Sequence, residues 1–230
     1  MIQINPFSDE RLEVFCTYCG ENEPTTRDHV PSRVLLDKPY PDNLPVVPSC
    51  RKCNESFSMD EEYFVCLLEC SRKGTTEIAE IGREKVKNIL IRKEKLHERL
   101  ISSMLKKDSD IFFEIESKRF TNVILKLARG HAKYENSEFQ WNEPIKICIK
   151  PLTMMKETEV ETFLSECKMN LLPEVGSRSL QRVFIDNRKI SSLWIDVQPN
   201  NYRYSICYDN GRISVKMIIF EYLAAEVVWE

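Results

Sequence analysis

Two cysteine pairs, Cys16-Thr17-Tyr18-Cys19 and Cys50-Arg51-Lys52-Cys53, bracket the segment 20–49 near the start of the chain. Each C-x2-C pair can turn two thiolates onto one ion from a tight turn, and four thiolates close the tetrahedral shell of Zn2+ without an open position. Such a zinc is structural, and its binding energy contributes directly to folding a segment with little core of its own. Gly20, Pro24 and Pro48 supply turn-forming residues around the pairs. Between the pairs lie Asp28-His29, then Asn43-Leu44 ahead of Pro45-Val46-Val47-Pro48, with Asn54 directly after the last cysteine. An imidazole with a pKa near about 6.5 can take a proton from water at neutral pH. Carboxylate and amide oxygens are hard donors of the kind Mg2+ prefers.

The elements expected to hold these residues follow from the pattern of the chain. Residues 15–71 read as short strands and loops closed by a helix that starts near Asn54 and includes Phe57-Ser58-Met59-Asp60-Glu61-Glu62-Tyr63-Phe64. Cys66 and Cys70, four apart on that helix, are expected to face the core. The charged segment Glu77 to Lys107 places Ile78, Ile81, Ile89, Leu96, Leu100, Met104 and Leu105 at helical spacing, which predicts one or two amphipathic helices. A second helical pattern covers Phe120 to Glu135, with Gly130 as either a terminator or a point of close packing. Beyond Ile145 the texture is mixed: Ile145 to Lys150 (IKICIK) and Arg182 to Asp186 (RVFID) read as strands around a helix at Thr158 to Asn170. A hairpin is expected to turn at Asp209-Asn210-Gly211. The fold class is therefore α+β, with segments 13–72, 77–140 and 141–230.

In the order C-x2-C, Asp-His, Asn-Leu, C-x2-C-Asn, the stretch from Phe15 to Phe64 resembles the zinc-stapled form of the HNH endonuclease family. The resemblance implies a ββα-metal fold in which two strands and a helix hold one divalent cation against a scissile phosphate. It makes His29 the general base, Asp28 a ligand of the catalytic cation, and Asn43 the brace of the loop and base. Asn54 becomes the second ligand, at a position the family often fills with His, so the chain would be an HNN variant. Cys16, Cys19, Cys50 and Cys53 become the structural zinc site. The cofactors implied are Zn2+ and a catalytic Mg2+ or Mn2+, and the substrate is DNA, with RNA open to the same phosphodiester chemistry. Arg33, Arg51 and Lys52 are candidate phosphate contacts. Lys126, Arg129, Lys133, Arg203 and Tyr204 are further candidates for a strand-binding surface, set against an ordinary mixed-charge exterior.

Composition bounds the alternatives. With 42% hydrophobic and 30% charged residues among 230, the chain is an ordinary globular one. The start, Met1 to Val14, lacks the features of a secretory signal, and no apolar run is long enough to span a bilayer. A cytoplasmic location without membrane contact is therefore expected, where clustered cysteines point to metal. The net charge of −3 does not mark a nucleic-acid binder, since phosphate backbones select a cationic field. It favours the competing reading, a zinc-stabilised module that binds nucleic acid or protein without cleaving. The C-terminal α+β region, residues 141–230, is expected to set substrate choice or to meet a protein partner or a second copy. His97, His131 and the single cysteines Cys148, Cys167 and Cys207 carry no functional expectation.

Overall fold

The computed structural model describes residues 13–108, 110–165, 174–185, 194–209 and 211–230. They form a mixture of helices and antiparallel sheets, as the α+β expectation requires. By contact the chain divides into two compact units, residues 1–55 with 124–230, and residues 56–123.

The first unit begins with a short antiparallel pair, β1 (Thr26–His29) and β2 (Val46–Ser49), in the register Thr26↔Ser49 to His29↔Val46. Directly after β2 comes α1 (Arg51–Lys73), whose opening residues 51–55 belong to this unit. The Val30–Pro31 peptide, just past β1, is cis. From residue 124 the unit continues through the second part of α4 (Ser117–Asn136) into a five-stranded sheet. Its strands are β5 (Lys146–Pro151), β6 (Ile195–Gln198), β7 (Tyr202–Asp209), β8 (Arg212–Ile219) and β9 (Leu223–Trp229), in the order β5-β9-β8-β7-β6. Period-two alternation sends Tyr202 and Tyr204 of β7, Val215 and Met217 of β8, and Ala225, Val227 and Trp229 of β9 into the core. The α4 helix reaches this core through His131, which stacks on Tyr204 with centroids 3.7 Å apart and meets Tyr202 Oη at 2.8 Å through Nε2.

The expected hairpin is present: Asp209 pairs with Arg212, and Gly211 at φ +80° supplies the positive φ that a tight turn requires. Asn210 lies outside the described residues. One expectation for this half needs correction, and of the two readings of Gly130 the close-packing one holds. Arg182 to Ile185, read as a strand, ends the helix α6 (Arg178–Ile185). Here the arginine faces Glu135 in a two-pronged ion pair at 3.1 Å, so tertiary pairing and not β propensity decides the element. Gly130 does not end its helix, which runs on to Asn136. The expected helix from Thr158 is α5 (Glu157–Leu164), and its final expected residues 166–170 lie outside the described set.

The second unit holds the rest of α1, then α2 (Glu84–Arg92), α3 (Glu94–Ser103), the hairpin β3 (Met104–Lys107) with β4 (Asp110–Phe113), and the first turns of α4. Its core collects Tyr63, Phe64, Cys66, Leu67, Cys70, Val86, Leu90, Leu100 and Phe120, so Cys66 and Cys70 are buried as expected. Met104 and Leu105, assigned from their spacing to a helix, belong instead to β3; the helical hydrogen bonding stops at Ser103, and the chain pairs with β4. Among the described residues, no helix is long and apolar enough to cross a membrane.

Candidate metal centre and active site

Cys16 and Cys19 sit on a tight turn closed by the Gly20 N–H bonding to the Cys16 carbonyl at 3.0 Å, with Gly20 at φ +76°. Trp141 seals this turn from outside. Its indole N–H donates to the Cys16 carbonyl at 3.1 Å, and its ring would lie 3.2 Å from any Cβ added at Gly20. Cys50 and Cys53 flank the start of α1, where the Cys53 N–H points at Cys50 Sγ at 3.4 Å. The Thr17 N–H bonds the Pro48 carbonyl at 3.0 Å, which brings the two turns together.

The four sulfurs converge: all lie within 4.8 Å of one another, and Cys19 Sγ is 3.8 Å from Cys50 Sγ. Tetrahedral Zn–S bonds of about 2.3 Å require sulfurs roughly 3.8 Å apart, so the cluster has the size of a zinc site. The electrostatics agree. Burial and the neighbouring thiols of Cys50 and Cys19 push the Cys53 thiol well up. Burial also raises the Cys16 thiol, but backbone hydrogen bonds from Cys50, Tyr18 and Cys19 outweigh it and bring it down to about 7. Four thiols this close cannot all ionise together without a cation among them. The cluster can therefore hold a metal ion such as zinc. Elsewhere, Cys207 on β7 stands in a disulfide.

Within the stapled segment, β1 carries Asp28 and His29 to opposite sides. Asp28 is 7% exposed, and its Oδ2 accepts from Tyr18 Oη at 2.8 Å and from Lys126 Nζ at 2.8 Å. Lys126 is 2% exposed and also donates to Ser32 Oγ at 2.8 Å. His29 is half-buried, with Nδ1 shielded from solvent and unpartnered. Burial and the Arg33 charge push its pKa down; Asp28 and the Pro45 carbonyl oppose this, and Lys126 adds to it. These influences together favour the neutral form of the imidazole. Asn54, in the first turn of α1, donates from Nδ2 to Thr26 Oγ1 at 3.2 Å and to the Arg27 carbonyl at 3.4 Å, which fixes the amide against β1. Asn43 is half-buried in the loop before β2, two residues ahead of Pro45, whose carbonyl takes the Val30 N–H at 2.9 Å. Arg33, Arg51 and Lys52 are exposed.

Several residues depart from the expected surface. Lys126, Lys133 and Tyr204 are buried, so they cannot line a strand-binding face. Tyr204 donates to Glu135 at 2.6 Å, and Lys133 lies over the Phe139 ring at 4.6 Å. Arg129 turns to the Trp141 and Asn142 carbonyls, and Arg203 pairs with Glu221 at 2.8 Å. In the second unit, Asp60 takes Arg119 at 2.7 Å and Asn122 at 2.8 Å, so it serves packing there. His97 meets the Thr76 carbonyl at 2.8 Å, a structural contact.

Sequence reasoning missed Tyr18 and Trp141, and it gave Lys126 a surface role in place of its buried pairing with Asp28. One signal for Lys126 was present: it lies within the apolar run Val123-Ile124-Leu125-Lys126-Leu127-Ala128, beside residues that are all core-facing except Leu125. Compared with family models, curated proteins and solved structures, the chain matches none of them.

Proposed function

We propose that the chain is a metal-dependent endonuclease of the HNH kind, cleaving phosphodiester bonds in DNA. The observation that carries this reading is the four-sulfur cluster enclosing a β1–β2–α1 segment that sets a neutral imidazole, a carboxylate and an amide on one strand and the adjoining helix turn. His29 would accept the proton of an attacking water. Its depressed pKa leaves it unprotonated for that task, and the loop carrying Asn43 and Pro45 holds the turn beside it.

The donor set also suits a second, hard cation. Both contacts of Asp28 fall on Oδ2, and Asn54 turns its Nδ2 to the strand, so Asp28 Oδ1 and Asn54 Oδ1 are the oxygens these residues would offer to Mg2+ or Mn2+. Such an ion, when bound, stabilises negative charge on the phosphate and the leaving oxygen. Arg33, Arg51 and Lys52, all exposed, would steer the backbone.

One observation favours the competing reading of a zinc-stapled binding module without catalysis: Asp28 is already neutralised by a buried lysine, as a purely structural carboxylate would be. A substrate panel separates the two. Zinc-loaded protein is incubated with plasmid, single-stranded DNA and RNA in Mg2+ or Mn2+, with gel-shift binding measured in parallel. Cleavage of DNA supports the nuclease, cleavage confined to RNA moves the substrate class, and tight binding without cleavage under any condition supports the module.

A further inference from the structure

The charges around the candidate cation position cancel. Asp28 contributes one negative charge, and Lys126 places one positive charge 2.8 Å from its Oδ2, held there by Ser32 Oγ. With Lys126 2% and Asp28 7% exposed, little water intervenes to screen the pair. Asn54 is uncharged. Oxygen sites gain affinity for divalent cations chiefly by accumulating negative ligands. This one has a single carboxylate, and a lysine already competes for it. A phosphodiester would bring both a negative charge and additional oxygens.

We propose that Lys126 keeps the site's own affinity for a divalent cation low, so that the cation and a phosphodiester of nucleic acid bind together. The inference rests on the nuclease reading above. Because linkage is reciprocal, the factor by which DNA tightens the cation must equal the factor by which the cation tightens DNA. Lys126 also ties its turn of α4 to the strand that bears His29.

The test measures free Mn2+ by electron paramagnetic resonance in zinc-loaded full-length His29→Ala protein, with and without a short DNA duplex. The Asp28→Asn variant supplies the background of Mn2+ held by the DNA alone. We expect at least a tenfold tighter Mn2+ affinity with DNA than without. Adding Lys126→Met should tighten Mn2+ binding in the absence of DNA at least tenfold and shrink the gain from DNA. An affinity indifferent to DNA, or unchanged or weakened by Lys126→Met, overturns the inference while wild-type cleavage leaves the nuclease reading standing. No Mn2+ binding in any state, together with no wild-type cleavage, removes both. Should Lys126→Met fail to fold, the comparison with and without DNA decides by itself.

Discussion

Gly130→Ala is the substitution whose sign the structure fixes most sharply. In an unconstrained helix interior it would stabilise the chain by about 1 kcal/mol, because alanine is the better helix former. Here a Cβ at position 130 would lie 2.5 Å from Val30 Cγ2 and 3.0 Å from Cγ1. Ordinary carbon contacts need about 3.5–4.0 Å, so roughly 1 Å of overlap must be relieved. Val30 is fully buried, its N–H is bonded to Pro45, and its β-branched side chain has little rotamer freedom. Relief therefore means backbone movement next to His29. A clash this close against a buried β-branched side chain falls at the upper end of the overpacking range, about 2–3 kcal/mol, which exceeds the propensity gain. We expect a net loss of about 1–2 kcal/mol, a fall in Tm of a few °C, and weakened function from displacement of β1. Urea melts of Gly130→Ala, Val30→Ala and the double variant supply the assay. Removing the Val30 methyls should rescue Gly130→Ala, giving a coupling above about 1 kcal/mol. Gly130→Ala as stable as the parent, or more so, with no coupling to Val30, would refute the packing of α4 on the β1 turn.

Three further outcomes are expected. His131, fully buried, has its pKa pushed down by burial to about 3, against about 6.5 when unfolded, so the unfolded chain takes up the proton first on acidification. Its contribution is complete above about pH 6.5 and is lost towards about pH 3, at up to about 1.4 kcal/mol per pH unit; urea melts of His131→Phe between pH 7 and 5 should show a shallower acid decline than the parent. Cys50→Ser should lose its zinc by elemental analysis and expose the start of α1 to proteolysis, and a zinc chelator should do the same to the parent protein. Tyr204→Phe removes a 2.6 Å hydrogen bond to buried Glu135 but leaves the two Arg182 contacts, so a loss of about 1 kcal/mol is expected by thermal melting, against a much larger loss for Glu135→Ala.

What was legible in the sequence was what depends on local spacing. The two C-x2-C pairs converge because each closes its own turn. Asn54 lies in the first turn of α1, and the Asp209–Arg212 hairpin follows from glycine's conformational freedom. What was not legible depends on distant partners. The Arg182–Ile185 stretch has strand-like composition, but Arg182 finds Glu135, 47 positions away, and the segment is helical. Lys126 reads as a surface cation until Asp28, 98 positions earlier, is seen to receive it; a charged residue in an apolar run can be buried when a counter-charge waits inside. Trp141 gave no signal at all, since nothing local links it to a turn at Cys16.

The most direct measurement follows supercoiled plasmid in Mg2+ with wild-type protein and with His29→Ala, each matched for zinc content and thermal stability. Loss of nicking in His29→Ala, with zinc and melting temperature unchanged, is the expected result. Equal nicking by the two proteins would contradict the assignment of His29 as the base. It would leave the four-cysteine cluster as a candidate metal site whose neighbouring imidazole takes no part in cleavage.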